Sequence, residues 1–146
     1  MSAWSRVTDA QSVYDALGRH GPLTKLQLFA RTTCRNTQAV EKAVQYINYA
    51  PMTEFTDGIV SPYKAPWQFR RVARSDRDQY ASWLRDERYL QTRLTTSIAM
   101  RKKAIDQGGV STTRLLSMGA EATYLQTALD ALQHAIVELD SRMGTP

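Results

Sequence analysis

Leu115, Met118, Ala122, Leu125, Leu129, Leu132, Ile136, Leu139 and Met143 follow one another in alternating steps of three and four residues, with no polar residue in the series. That spacing is the seam of an α-helix whose apolar stripe meets another helix. A stripe sustained for about four heptads excludes β-structure there and demands a long partner. The preceding segment can supply one. Ser75 is placed to cap a helix from Asp76, Asp78 sits near its positive end, and Gly108-Gly109 closes it. Tyr80, Trp83, Leu84, Leu90, Leu94, Ile98 and Ile105 form its apolar side. Gly119 lies in the seam helix, and the flanking positions hold Gln126, Ala128, Gln133 and Ala135 rather than opposed charges. These features argue against a parallel zipper and for an antiparallel hairpin that pairs with a second copy in a four-helix arrangement. The expected dimerisation residues are Leu115, Met118, Leu125, Leu129, Leu132, Ile136 and Leu139. A hairpin core formed wholly within one chain is the alternative.

Charge separates this region from the rest. Residues 1–75 carry ten Lys or Arg and five acids, whereas the remainder carries nine of each, so the whole net charge of +5 belongs to the first half. A basic half joined to a neutral helical half reads as a polyanion-binding head on a scaffold. The expected division is 1–74 for the head and 75–146 for the helical dimerisation region.

The head begins with helices. Asp9 is placed to cap a first helix, Asp9–Arg19, whose Val13, Tyr14, Ala16 and Leu17 share a stripe, and Gly18 with Gly21-Pro22 ends it near His20. Thr24 opens a second, short helix to about Arg31, burying Leu26, Leu28 or Phe29, and Ala30. After the polar step Thr32-Thr33-Cys34, a third helix runs from about Arg35 to Tyr49, with Val40, Ala43, Val44 and Ile47 buried and Pro51 beyond it. A helix-turn-helix needs a small residue where its helices cross, another in the turn, and a branched residue locking the second helix down. Ala30, Cys34 and Val40 supply these at matching separations. The exposed face of the third helix then carries Arg35, Asn36, Thr37, Gln38, Glu41, Lys42 and Gln45. Amides there can read base edges, with Gln38 and Asn36 the foremost candidates, while Arg35 and Lys42 can take phosphates.

Next come two runs, Met52–Thr56 and Ile59–Tyr63, around Asp57-Gly58, a pair that favours a two-residue hairpin turn. A further extended run spans Trp67–Val72. Its Trp67 and Phe69 have the chemistry to stack on bases, although their alternation with Gln68 reads more simply as a strand anchored to the core. Three helices followed by a β-hairpin resemble the winged helix-turn-helix domain of transcription regulators. By that resemblance Lys64, Arg70 and Arg71 are wing or wing-flank contacts to DNA. The layout, with SDRDQYASWLRDERYLQTRL soon after the wing, is similar to PadR- and MarR-type regulators, and a phage or mobile-element regulator fits equally. The resemblance implies a mainly α fold with a small β-hairpin, in which an N-terminal winged helix-turn-helix is followed by two long helices.

Other chemistry finds no support. There is no glycine-rich phosphate loop, no nucleophile with a histidine and an acid at motif spacing, and no paired-acid signature. Cys34 is the sole cysteine, and His20 and His134 lack ligand spacing, so neither catalysis, a metal nor a cofactor is expected. No run approaches the ~18 apolar residues of a spanning helix, and the start lacks a secretion-signal pattern, so a cytoplasmic, DNA-associated location is expected. The expected function is sequence-specific binding of double-stranded DNA by a homodimeric transcriptional repressor, with any effector undefined. The alternatives are a DNA-packaging or replication-initiation subunit, or a protein-binding adaptor with the same head and coiled coil.

Overall fold

The computed structural model describes residues 3–49 and 54–144, with side chains from residue 7. The fold is mainly helical, with one two-stranded antiparallel sheet and two long C-terminal helices. The elements are α1 (Ala3–His20), α2 (Lys25–Arg31), α3 (Thr37–Tyr49), β1 (Asp57–Val60), β2 (Arg70–Ala73), α4 (Arg74–Gln107) and α5 (Thr112–Met143). They divide into two compact units, one of residues 1–80 with 140–146, the other of residues 81–139.

In the first unit, α1 starts six residues before the expected cap. Asp9 is therefore interior to the helix, where it is buried and its Oδ1 accepts from Thr33 Oγ1 at 2.7 Å. Ser12 Oγ accepts from the Thr33 amide at 3.2 Å. The polar step between α2 and α3 is thus tied to α1 through the hydroxyl and amide of Thr33, while the Thr32 hydroxyl donates to the Leu28 carbonyl at the end of α2. Gly18, expected at the end of α1, lies within it, and Gly21, at φ 76°, ends the helix, its amide donating to the Leu17 carbonyl.

A capping box starts α2: Thr24 Oγ1 accepts from the Gln27 amide, and the Gln27 side chain accepts from the Thr24 amide. Only Leu28 of this helix is buried. Ala30, expected at the crossing, is exposed along with Leu26 and Phe29, because seven residues make two turns and offer one position to the core. Cys34 and Val40 are buried as expected. The α3 stripe of Val40, Ala43, Val44 and Ile47 is buried, together with Ala39. These residues join Val13, Leu17, Leu28, Phe55 and Ile59 in one core, where Phe55 packs its ring 5.0 Å from that of Tyr14 and 6.3 Å from that of Tyr46.

The expected turn at Asp57-Gly58 is a strand instead. Asp57 pairs with Ala73, Gly58 with Val72, Ile59 with Arg71 and Val60 with Arg70, so the connection is the loop 61–69, which contains Pro62 and Pro66. Glu54–Thr56 are irregular, and residues 52 and 53 lie outside the described residues. Gly58 is required by close approach rather than by turn geometry, since a Cβ there would lie 2.6 Å from Arg77 Cγ. Leu23, between α1 and α2, forms an antiparallel bridge with Phe69 through reciprocal backbone hydrogen bonds of 2.8 and 3.1 Å.

In the second unit, α4 and α5 run antiparallel. Leu94 is buried with Leu125 and Leu129, with Leu90 and Ala122 packed against them. Farther from this cluster along α4, Arg101 Nε donates to the Leu115 carbonyl at 3.4 Å. Gly108 and Gly109, at φ 68° and 79°, end α4, and Ser111 Oγ accepts from the Arg114 amide to start α5.

Candidate nucleic-acid interface

Helix α3 has two chemically opposed faces. One is the buried stripe just described. The other exposes Arg35, just before the helix, with Gln38, Glu41, Lys42 and Gln45. Among the described residues, no side-chain hydrogen bond or ion pair engages Arg35, Gln38, Lys42 or Gln45, so their donors and acceptors all face outward. Glu41 is different. It pairs with Lys25 of α2, which offsets the one negative charge on this face. Asn36 Oδ1 accepts from the Ala39 amide at 2.7 Å, so it caps α3 and leaves only its amino group for a ligand. Thr37, the first residue of the helix, is half-buried.

The three residues assigned to the hairpin separate. Lys64 is exposed on the loop 61–69. Arg70 is directed inward: Nη1 donates to the Asp140 carbonyl at 3.0 Å, Nη2 pairs with the Asp140 carboxylate, and only 11% of the side chain is exposed. Burial pulls its guanidinium below the ordinary value, with the charge of Tyr80 acting in the opposite direction. Arg71 Nε donates to Asp57 Oδ2 at 2.8 Å, and its guanidinium lies 3.7 Å from the centroid of the Tyr14 ring. Both arginines thus hold β2 against the rest of the first unit, and the exposed positive charge of the hairpin is concentrated at Lys64.

One residue carries a role that the sequence did not announce, and another departs from the role expected of it. Arg74 closes the C-terminal end of α3, donating to the carbonyls of Asn48, Ile47 and Phe55 at 3.2, 3.2 and 2.9 Å. No local pattern announces that function, since the bonds span 19 to 27 residues. Trp67 is 64% exposed, while its neighbour Phe69 is bonded to Leu23. The anchoring expected of both aromatic residues belongs to Phe69 alone.

The seam residues of α5 are largely used within the chain. Leu125, Leu129, Ile136 and Leu139 are buried, and Leu115, Met118 and Leu132 are half-buried. Ile98 and Ile105 of α4, expected to be inside, are about half exposed, because one helix partner covers only one side of their stripe. Among the described residues, no helix is long and apolar enough to cross a membrane, and no group of three or more His, Cys, Asp or Glu could hold a metal ion. Comparison with family models, with curated proteins and with solved structures gave no match.

Proposed function

We propose that this chain is a sequence-specific double-stranded DNA-binding protein of the winged helix-turn-helix type, acting as a dimeric transcriptional repressor by occupying its operator. The observation that carries the reading is the outward face of α3, where Arg35, Gln38, Lys42 and Gln45 stand exposed and unengaged above a fully buried stripe. A helix presented in this way fits the major groove, where amides and guanidinium groups can form paired hydrogen bonds with base edges. In this reading α2, the step 32–36 and α3 are the helix-turn-helix. The wing is β1, the loop 61–69 and β2, and Leu23 occupies the position of a short third strand beside Phe69. Gln38 and Gln45 read bases, Arg35 and Lys42 contact phosphates, and Lys64 reaches the backbone from the wing.

The second unit supplies the partner contact. Half-buried Leu115, Met118 and Leu132, with exposed Ile98 and Ile105, leave apolar surface that a second hairpin can cover. Two linked heads then read two half-sites at high effective concentration.

Affinity for labelled duplex DNA measured across a salt series tests the reading. About six phosphate contacts give a log–log slope near −5. A shallow slope, or no binding, favours the adaptor alternative. That second reading has one specific observation behind it: Leu26, at 70% exposure, and Phe29 lie one turn apart on α2 and present an apolar patch suited to a protein partner.

A further inference from the structure

The loop 61–69 holds an indole in water at a site restrained from several sides. Val60 and Arg70 are paired across its base. Phe69 exchanges two backbone hydrogen bonds with Leu23. Pro62 is buried, and Pro62 and Pro66 each fix a backbone dihedral. Trp67 lies within this frame, yet the residue is 64% exposed. A large aromatic held in solvent by a restrained segment is a contact surface in waiting, because little conformational freedom remains to be lost when it is covered.

The charge around it decides what covers it. Arg70 and Arg71 are bound to Asp140 and Asp57, so among the described residues of the loop and its two strands Lys64 is the cation free to meet a ligand. One ammonium is a weak grip on a phosphate backbone. An exposed ammonium and an exposed indole three residues apart on one loop are instead the pair of groups that single-stranded nucleic acid uses, with the base on the ring and the phosphate on the cation. A base inside a closed duplex is already covered on both faces, and opening a step to reach it costs at least as much as the new stacking returns.

We propose that Trp67 is a stacking platform for an unpaired nucleobase, with Lys64 taking the adjacent phosphate, so that the protein prefers a duplex carrying a single-stranded extension to the same duplex with blunt ends. This rests on the nucleic-acid reading above. Stacking of one base corresponds to about tenfold in affinity.

The test uses the full chain labelled with 5-fluorotryptophan, with the Trp67 resonance assigned by its loss in Trp67→Phe. Three DNA probes are titrated: a blunt duplex, the same duplex with a ten-nucleotide single-stranded tail, and the tail alone. Affinities come from anisotropy of the labelled DNA. The expected result is about tenfold tighter binding of the tailed duplex, a shifted Trp67 fluorine resonance with that probe only among the two duplexes, loss of the preference in Trp67→Ala and its partial retention in Trp67→Phe. Equal affinity for blunt and tailed duplexes, unchanged in Trp67→Ala, overturns the proposal while leaving duplex recognition standing. Absence of binding to every probe by folded protein overturns both. A Trp67 resonance that shifts with protein concentration in the absence of DNA assigns the indole to self-association and also overturns the proposal.

Discussion

Asn48, near the end of α3, clasps Ile59 of β1 with both ends of one side-chain amide: Nδ2 donates to the Ile59 carbonyl at 3.0 Å and Oδ1 accepts from the Ile59 amide at 2.8 Å. Ile59 is buried, so neither backbone group has ready access to water. The clasp fixes the start of the hairpin relative to the helix proposed to enter the groove. Asn48→Ala should therefore destabilise the first unit by about 2 kcal/mol, read from urea denaturation. Asn48→Asp should be comparably harmful at neutral pH, because a carboxylate accepts from the Ile59 amide but repels its carbonyl. A loss below about 0.5 kcal/mol in both variants would show that the clasp is dispensable.

Arg70 is expected to matter for folding rather than for DNA contact. Arg70→Ala leaves the Asp140 carboxylate without its partner in a largely buried setting. Its stability should fall by about 2 kcal/mol or more, while the affinity of the folded fraction for duplex DNA stays within about twofold of the parent, a change below 0.5 kcal/mol. A large affinity loss with unchanged stability would return Arg70 to the interface.

The outward face of α3 predicts a division of labour. Gln38→Ala should relax sequence preference at one or two positions, costing about 1–3 kcal/mol on the preferred site and little on others. Lys42→Ala should weaken binding to all sequences alike and reduce the salt slope by about one. Competition binding with matched and mismatched duplexes separates the two outcomes. The same sequence-independent loss in both variants would mean that α3 does not read bases.

Cys34 lies in the step between α2 and α3, and burial raises its thiol above the ordinary value. The Thr32 hydroxyl opposes that shift and the charge of Asp9 adds to it. The folded state therefore holds the thiol proton more tightly than the unfolded chain. Stability contributed by this group is present below the ordinary thiol range, about 8.5, and declines as pH rises through it. In a thiol-reagent assay at pH 8, the native chain should react at least about tenfold more slowly than the chain in urea. Equal rates would place Cys34 outside the core.

Local signals were legible in the sequence where the physics is local. The ends of α1 and α4 follow from Gly21 and from Gly108-Gly109, all three at positive φ, and the start of α2 follows from Thr24. The buried stripe of α3 follows from its period. Pairings across long separations were not legible. Asp9 looks like a cap until its partner Thr33 is found 24 residues away, and Asp57-Gly58 looks like a turn until Arg77 is seen packed over the glycine. The arginines 70, 71 and 74 have the same composition as a nucleic-acid patch, and only the fold reveals that Asp140, Asp57 and the end of α3 engage them. In the seam of α5, periodicity identifies which residues are apolar, but not whether α4 or a second copy covers each one.

The most direct test of the central claim is selection of bound sequences from a random duplex pool at about 150 mM salt, near physiological ionic strength, with the oligomeric state measured on the same sample. A dimeric operator-binding protein should enrich a palindrome with half-sites about one helical turn apart. A folded protein that enriches no sequence would contradict that claim and would move attention to the apolar patch of Leu26 and Phe29.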